Sequence, residues 1–238
     1  MKGVVLAGGT GTRLRPLTLI TNKHLLPVYD KPMIMYPIET LHSAGILEIM
    51  IVCGREHAGD FINFLGSGKE IGVKISYAVQ DKNNAGIADA LSYAEDFADK
   101  GDIAVILGDN LFEDNFENSI KKFKNGARIF LKKVKNPQRY GVPVFDKSGK
   151  KIIKIEEKPK NPKSNYAQTG FYLMDKKIFS FIKKQKPSKR GELEMTDTIN
   201  QYIREGSIDF SVIKGGWYDA GTIDSLLESS LLISKKYK

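Results

Sequence analysis

Four short, mostly apolar segments alternate with segments of helical periodicity over the first half of the chain. The predicted strands are residues 3–7, 49–52, 73–79 and 103–107. The segments between them have the apolar spacing of amphipathic helices, and the predicted helices are residues 33–44, 57–65 and 87–97. Parallel strands require such crossovers, so the alternation predicts an α/β fold in which helices cover both faces of a doubly wound, mostly parallel sheet.

After Asn110 the pattern changes to β-rich. The predicted elements are strands at 127–134, 142–145, 166–174 and 208–213, a hairpin that turns at Ser148-Gly149 into 151–156, and helices at 196–204 and 223–235. The Pro- and Lys-rich stretches 158–163 and 183–190 are short enough to be loops. We therefore predict one domain, 1–238, with an inserted β-rich part.

Composition excludes several classes of protein. A chain of 238 residues that is 41% hydrophobic can bury one large core. It has no run of about 20 apolar residues and no secretory leader, which predicts a cytoplasmic protein without membrane contact. The net charge of +9 comes from scattered lysines without a recognisable nucleic-acid module, so we expect a solvated surface and no nucleic-acid partner. The single Cys53 excludes an internal disulfide, and we expect a buried thiol.

A glycine-rich loop follows the first predicted strand, with Gly8, Gly9 and Gly11 close together and Arg13 and Arg15 after them. Successive backbone N–H groups in such a loop can turn toward a phosphate. The loop is not a dinucleotide fingerprint, which would need glycine at Leu14, and it lacks the lysine of a P-loop. With Lys23 the loop offers cations to a bound anion, although a tight turn beside surface charges remains the alternative.

Asp109 follows the strand 103–107, so it lies at the carboxyl edge of the predicted sheet, where open α/β folds bind ligands. Magnesium needs only one or two carboxylates besides waters and phosphates, and Asp219 is a candidate for the second. Each aspartate alone could instead be a cap or turn residue. The three histidines, His24, His42 and His57, form no spaced ligand set, and we predict structural roles for them.

Several motifs in order along the chain resemble those of glucose-1-phosphate thymidylyltransferases, which are sugar-phosphate nucleotidylyltransferases. They are Gly8-Gly9-Thr10-Gly11-Thr12-Arg13-Leu14-Arg15-Pro16, Lys23-His24-Leu25-Leu26-Pro27-Val28, Gly108-Asp109-Asn110, Tyr140-Gly141-Val142, Glu156-Glu157-Lys158-Pro159, Gln168-Thr169-Gly170, Arg190-Gly191-Glu192-Leu193-Glu194 and Trp217-Tyr218-Asp219-Ala220-Gly221-Thr222. The resemblance implies the fold of nucleotide-diphospho-sugar transferases, which is Rossmann-like. It also implies transfer of a nucleoside monophosphate from dTTP to glucose 1-phosphate, with Mg²⁺ and release of pyrophosphate.

The resemblance also implies roles for individual residues. Residues 1–110 would mainly bind nucleotide, 111–222 would mainly bind sugar phosphate, and 223–238 would be a terminal helix. The implied nucleotide-binding residues are Leu6, Gly8, Gly9, Gly11, Thr12, Arg13, Gln80, Gly86 and Asp109. The implied sugar-phosphate-binding residues are Tyr140, Gly141, Glu157, Lys158, Gly170, Tyr172, Arg190 and Trp217. The implied catalytic residues are Arg13, Lys23, Asp109, Lys158 and Asp219, of which Asp109 and Asp219 would hold the metal.

Two departures from the family pattern leave alternatives open. The base loop, residues 80–89, has no proline, is one residue longer and ends in Asp89, so the base could be thymine or uracil. Many relatives have a further carboxyl-terminal helical region, and its absence here predicts a monomer or small homo-oligomer without a feedback site. Two alternatives remain: a UTP-dependent or other hexose 1-phosphate uridylyltransferase, and a catalytically silent regulatory subunit with the same fold.

Overall fold

A computed structural model describes residues 1–82 and 85–235, in which strands and helices alternate. The strands are β1 (Lys2–Ala7), β2 (Pro27–Val28), β3 (Lys31–Pro32), β4 (Glu48–Gly54), β5 (Lys74–Gln80), β6 (Ile103–Leu107), β7 (Asn110–Phe112), β8 (Ala127–Lys133), β9 (Gly141–Phe145), β10 (Ile152–Glu157), β11 (Tyr166–Met174), β12 (Ile208–Val212) and β13 (Trp217–Asp219). The helices are α1 (Met35–Ser43), α2 (Ala58–Leu65), α3 (Ile87–Ser92), α4 (Glu95–Ala98), α5 (Glu117–Lys121), α6 (Lys177–Lys184), α7 (Met195–Arg204) and α8 (Ile223–Ser234).

Seven strands form the central sheet, in the order β12-β8-β11-β6-β1-β4-β5. Strand β1 pairs in parallel with β4 and β6, β4 pairs in parallel with β5, and β8 pairs in parallel with β12. Only β11 runs against its neighbours, β6 and β8. The prediction of a mostly parallel sheet is therefore confirmed.

Helices cover both faces of this sheet. Successive residues of a strand point to opposite faces, so alternate residues of β1 pack against different helices. Val4 and Leu6 of β1 belong to a buried cluster that includes residues of α3, α6 and α7. Val5 and Ala7 belong to a second cluster, which includes residues of α1 and α2. The near-continuous apolar sequence of β1 reflects this double coverage, and the fold is doubly wound as predicted.

The structure corrects several element predictions. The predicted helix 87–97 is two helices, because the backbone leaves helical geometry at Ala94 (φ −95°, ψ 4°), where neither glycine nor proline marks the break. The predicted loop 183–190 begins inside α6, whose buried Ile178, Phe179 and Ile182 have helical spacing that could have revealed it. The sequence pattern does not predict the short elements β2, β3, α5, β7 and β13.

The carboxyl ends of the parallel strands bring the candidate site together. Strand β1 leads into the glycine loop, β5 ends at Gln80, and β6 is followed by Gly108 and Asp109. Strand β11 runs in the opposite direction and brings Gly170 to the same edge, since Phe171 pairs with Ile106. Within the described residues, no helix is long and apolar enough to cross a lipid bilayer.

Candidate active site

A first cavity, of about 310 Å³, opens at the carboxyl edge of β1, β5 and β6. Its walls come from the glycine loop, the end of β5, the start of α3 and the segment after β6. The lining residues are Leu6, Gly8, Gly9, Arg13, Lys23, His24, Gln80, Ala85, Gly86, Ile87, Ala90, Leu107, Asp109, Asn110, Glu192 and Asp219. The cavity is large enough for part of a nucleotide, and cations and backbone amides surround it.

The glycine loop lies close to its neighbours and has little room for side chains. A Cβ atom at Gly8 would lie 2.4 Å from Gln80 Oε1, and one at Gly9 would lie 3.3 Å from Lys23 Cε. Gly11 has a φ of +65°, a left-handed conformation that favours glycine. Arg13 follows in a single 3₁₀ turn, Thr12–Leu14, which is anchored by the fully buried Leu14. The sequence therefore places Arg13 at the mouth of the cavity.

Asp109 and Lys23 form a buried ion pair at the base of this cavity. Lys23 Nζ lies 2.5 Å from Asp109 Oδ2, and the two side chains are 13% and 10% exposed. Asn110 Nδ2 donates to the other carboxylate oxygen at 3.0 Å. Burial opposes ionisation of Asp109, but the Lys23 ammonium and these two hydrogen bonds keep its pKa below the ordinary value. Asp109 is therefore an anion that this site is built to hold.

Asp219 brings a second carboxylate to the same place, with Arg13 beside it. A Cβ atom at Gly221 would lie 2.9 Å from Asp219 Oδ1, 3.1 Å from Arg13 Nη2 and 3.4 Å from Asp109 Oδ2. Burial and repulsion from Asp109 raise the pKa of Asp219 above its ordinary value. A cation between the carboxylates would relieve that repulsion.

The donor set fits a magnesium ion. Two carboxylates converge, and the described residues contain no cluster of three or more His, Cys, Asp or Glu side chains that could hold a metal. Magnesium keeps several waters and takes phosphate oxygens together with one or two carboxylates, so it needs no larger protein cage.

A second cavity, of about 140 Å³, adjoins the first and shares Arg13, Asn110 and Asp219 with it. Strands β9 to β11, the start of α7 and Trp217 form its walls. The residues that line it are Arg13, Ile87, Leu107, Asn110, Arg139, Tyr140, Gly141, Glu157, Lys158, Gln168, Thr169, Gly170, Tyr172, Glu194, Met195, Thr196, Trp217 and Asp219. The shared lining puts the Arg13 guanidinium and the Asp219 carboxylate where ligands from both cavities would meet.

Asn110 connects the two cavities through hydrogen bonds. Its Oδ1 accepts from Trp217 Nε1 at 2.7 Å and from the Gly170 N–H at 3.0 Å, while its Nδ2 donates to Asp109. The Trp217 ring also contacts Tyr140, with 5.1 Å between ring centroids. The position of Trp217 is therefore coupled to that of Asp109.

Glu157 and Lys158, at the end of β10, form another polar wall of the second cavity. Glu157 Oε2 accepts a hydrogen bond of 2.5 Å from Thr196 Oγ1, and Glu157 Oε1 lies 3.4 Å from Lys158 Nζ. Lys158 has a φ of +43°, which is uncommon for a residue with a side chain, and its N–H donates to Tyr140 O. Such strained backbone clusters at functional sites.

The segment 192–194 runs along both cavities. Glu192 lines the first cavity and Glu194 the second. Between them, the Leu193 N–H donates to Ala85 O at 2.8 Å, and Leu193 O accepts from the Ala88 N–H at 3.1 Å. Through these backbone hydrogen bonds, the segment that lines the second cavity at Glu194 is connected to Ala85, which lines the first.

Comparison with known proteins assigns the chain that forms these cavities to a family. The profile of the family described as Nucleotidyl transferase matches residues 2–236. The chain belongs to the nucleotidyl transferase family. Membership and the enzyme class, both predicted from the motifs, are thereby confirmed.

Similar members of the nucleotidyl transferase family support the same relationship. A glucose-1-phosphate thymidylyltransferase of Neisseria meningitidis is 42% identical over 98% of this chain and 82% of its own length. A Bacillus anthracis protein described as a glucose-1-phosphate thymidylyltransferase, solved in complex with sucrose, is 51% identical, with a TM-score of 0.92 over 98% of this chain and 94% of its own. An apo UDP-glucose pyrophosphorylase is 26% identical, with a TM-score of 0.87 over the full length of both chains.

The structure brings most of the predicted site residues of this nucleotidyl transferase together. Around the first cavity lie Leu6, Gly8, Gly9, Arg13, Lys23, Gln80, Gly86, Asp109 and Asp219. Around the second lie Tyr140, Gly141, Glu157, Lys158, Gly170, Tyr172 and Trp217. Of the predicted base loop 80–89, residues 83 and 84 lie outside the described residues.

Some predicted residues lie outside these two linings. Gly11 and Thr12 belong to the glycine loop but line neither cavity. Arg190 also lines neither, and it pairs with Glu192 at 3.0 Å and with Glu194 at 3.4 Å. Its predicted position near the phosphates stays a prediction.

Sequence reasoning also missed residues that line the site. Asn110 follows Asp109 and His24 follows Lys23 in the sequence, so their position next to predicted site residues could have revealed them. His24 is buried, its Nδ1 lies 2.8 Å from Asn22 Oδ1, and burial lowers its pKa to about 3. Thr196 carried no comparable signal, because its contact with Glu157 depends on the packing of α7 against β10.

Proposed function

We propose that this nucleotidyl transferase transfers thymidylate from dTTP to glucose 1-phosphate, giving dTDP-glucose and pyrophosphate. The observation that carries the proposal is the pair of adjoining cavities that share Arg13 and Asp219. The first cavity would hold the triphosphate and the second the sugar phosphate, so that the two phosphates meet at the shared wall. The names of the relatives from Neisseria meningitidis and Bacillus anthracis support these substrates.

The two cavities are lined largely by different parts of the chain. All the residues that line the first cavity, except Glu192 and Asp219, lie within 1–110, which we propose as the mainly nucleotide-binding part. Residues 111–222 would mainly bind the sugar phosphate. Gly11 and Thr12 would support the glycine loop beside the triphosphate.

We propose Mg²⁺ as the metal, held by Asp109 and Asp219. When bound, it would supply positive charge to the phosphates of the triphosphate and to the departing pyrophosphate. The two carboxylates lie near one point beside Gly221, where a divalent cation would offset the charge of both. Lys23 Nζ, 2.5 Å from Asp109 Oδ2, adds further positive charge beside this carboxylate.

The reaction would depend on alignment and charge stabilisation. A phosphate oxygen of the sugar phosphate attacks the α-phosphorus in line with the departing pyrophosphate. That oxygen is already ionised at neutral pH, so no general base is needed. Arg13 at the shared wall and Lys23 at the base of the first cavity offset the charge of the converging phosphates, and Lys158 binds the phosphate of the sugar.

The second cavity contains acceptors suited to sugar hydroxyls. Gln168 is 7% exposed, and its Oε1 is buried without a hydrogen-bond partner among the described residues. A buried acceptor without a donor costs about 1–3 kcal/mol, so a ligand hydroxyl that donates to it would be favoured. Glu157 is a second acceptor in the same wall. A hexose fits this chemistry.

Uridylyl transfer is the second candidate, because UDP-glucose pyrophosphorylase shares the fold over the full length of the chain. Pyrophosphate release with glucose 1-phosphate, measured across dTTP, UTP, dCTP, ATP and GTP, separates the candidates. We expect the highest kcat/KM with dTTP. A rate with dTTP well below that with UTP would reject the thymidylyl assignment, and no turnover with any triphosphate would favour the silent subunit.

The quaternary state and location stay predictions from sequence. We propose a monomer or small homo-oligomer that acts in the cytoplasm. Sedimentation of the purified protein tests the first part, and a tetramer or a larger species would contradict it.

A further inference from the structure

A hydrogen bond between two side chains determines how the first cavity presents Gln80. This residue ends β5, is 5% exposed and lines the cavity beside Gly86. Its Nε2 donates to Asp89 Oδ2 at 2.8 Å. Asp89 lies in the first turn of α3 and lines neither cavity. Its carboxylate contacts the cavity lining through this bond to Gln80.

The chemistry of a carboxylate makes this contact directional. An ionised carboxylate only accepts hydrogen bonds, so Asp89 can face the NH₂ end of the Gln80 amide but not its oxygen. Reversal of the amide would bring two acceptors together. The other end has a place of its own, since Gln80 Oε1 lies where a Cβ atom at Gly8 would be only 2.4 Å away. Asp89 on one side and the bare Gly8 on the other thus specify one orientation.

We infer that Asp89 is a positioning residue that selects thymine or uracil over cytosine by fixing the Gln80 amide. This inference rests on the proposed function, in which the first cavity holds the base of a triphosphate. Thymine and uracil present an N3–H donor beside the O4 acceptor. A primary amide presents an oxygen acceptor beside an N–H donor, and Gln80 keeps one N–H after donating the other to Asp89.

Cytosine has the opposite pattern at this edge, with N3 as acceptor and the N4 amino group as donor. To pair with it in the same position, the Gln80 amide would have to turn over and lose its bond to Asp89. Thymine and uracil share the imide edge, so the pair Gln80 and Asp89 does not distinguish them. The pair therefore distinguishes thymine and uracil together from cytosine.

The Asp89→Asn variant tests the inference with almost no change in volume. The new carboxamide can offer either its oxygen or its NH₂ group, so both orientations of Gln80 become possible. We expect the ratio of kcat/KM for dTTP to that for dCTP to fall about tenfold or more, mainly through better use of dCTP, since a bidentate contact to a base edge discriminates against the wrong base. The ratio of dTTP to UTP should stay unchanged. Asp96→Asn, at an exposed position in α4, makes the same chemical change away from both cavities and should alter neither ratio.

The outcomes separate this inference from the proposed function. If the wild-type protein uses dTTP or UTP and Asp89→Asn leaves the dTTP to dCTP ratio within twofold, the inference is overturned alone. If the wild-type protein uses neither triphosphate, the proposed function is overturned and the inference with it. Should Asp89→Asn fold poorly, Asp89→Ala and the dissociation constants of dTTP and dCTP without sugar phosphate give the same comparison. A purely structural role would weaken both nucleotides equally.

Discussion

Replacement of Asp109 by alanine would remove two contributions of this side chain, and the structure allows each to be sized. In folding, the change leaves Lys23 without its partner in a site where the two side chains are 13% and 10% exposed. Loss of one partner of a buried pair costs about 3–5 kcal/mol. Lys23 keeps its attraction to Asp219, so we expect the lower end, about 3 kcal/mol.

In catalysis, Asp109→Ala leaves Asp219 as the remaining one of the two carboxylates that we propose to hold the metal. We expect a loss of roughly a thousandfold or more in kcat, or about 4 kcal/mol of barrier. The double variant Lys23→Met, Asp109→Asn separates the two contributions. The double variant leaves no uncompensated charge from the Lys23–Asp109 pair, so it should regain part of the lost stability but not activity.

Pyrophosphate release from dTTP and glucose 1-phosphate measures the rate, and urea unfolding of the same samples measures the stability. A domain of this kind has about 5–15 kcal/mol of stability, so Asp109→Ala should remain folded at 25 °C. Activity of Asp109→Ala within about tenfold of wild type would refute the reasoning. Recovery of activity in the double variant would refute it equally, because the single variant would then have failed through folding.

Three further predictions concern other parts of the molecule. Trp217 is the sole tryptophan and lines the second cavity, so binding of glucose 1-phosphate should change its fluorescence. Trp217→Phe loses the 2.7 Å hydrogen bond to Asn110, and initial rates should show a several-fold higher KM for the sugar phosphate with an unchanged KM for the triphosphate. Gly86→Ala would place a Cβ atom 2.4 Å from Leu193 O at a φ of +101° and should lower Tm and raise KM for the triphosphate, whereas Gly149→Ala, with a φ of +70° and open space, should lower Tm less and leave KM unchanged. Burial raises the pKa of the Cys53 thiol to about 11, so ionisation of this thiol should not affect the free energy of unfolding below about pH 8.5 and should lower it by about 3 kcal/mol as the pH rises through 11. Urea titrations at alkaline pH should show this fall in the wild-type protein but not in Cys53→Ala, and an identical fall in both proteins would contradict the raised pKa of Cys53.

The part of the site built from local signals could be predicted from the sequence. The glycine loop directly follows an apolar strand and ends in Arg13, and Asp109 follows another strand after Gly108, so placing each strand also places these residues at the sheet edge. The alternation of strands and helices likewise predicted the central sheet, because each element carries its own periodicity.

The remainder depends on contacts between distant segments. Asp219 reaches Asp109 through the pairing of β13 with β7, in which Asp219 lies opposite Asn110. Each of these strands has only three residues, too few for an alternating pattern to appear. The position of Gln168 depends on an irregularity in the pairing of β11 with β8, where the register shifts between Gln168 and Tyr172. No spacing rule in the sequence marks that shift.

The hydrogen bonds of Leu193 to Ala85 and Ala88 make one short segment a common wall for both cavities. A displacement of its backbone toward either cavity would change the shape of the other at the same time. Substitutions that loosen the segment should therefore impair affinity for the triphosphate and for the sugar phosphate together. An improvement for one substrate through this segment would come with a change for the other.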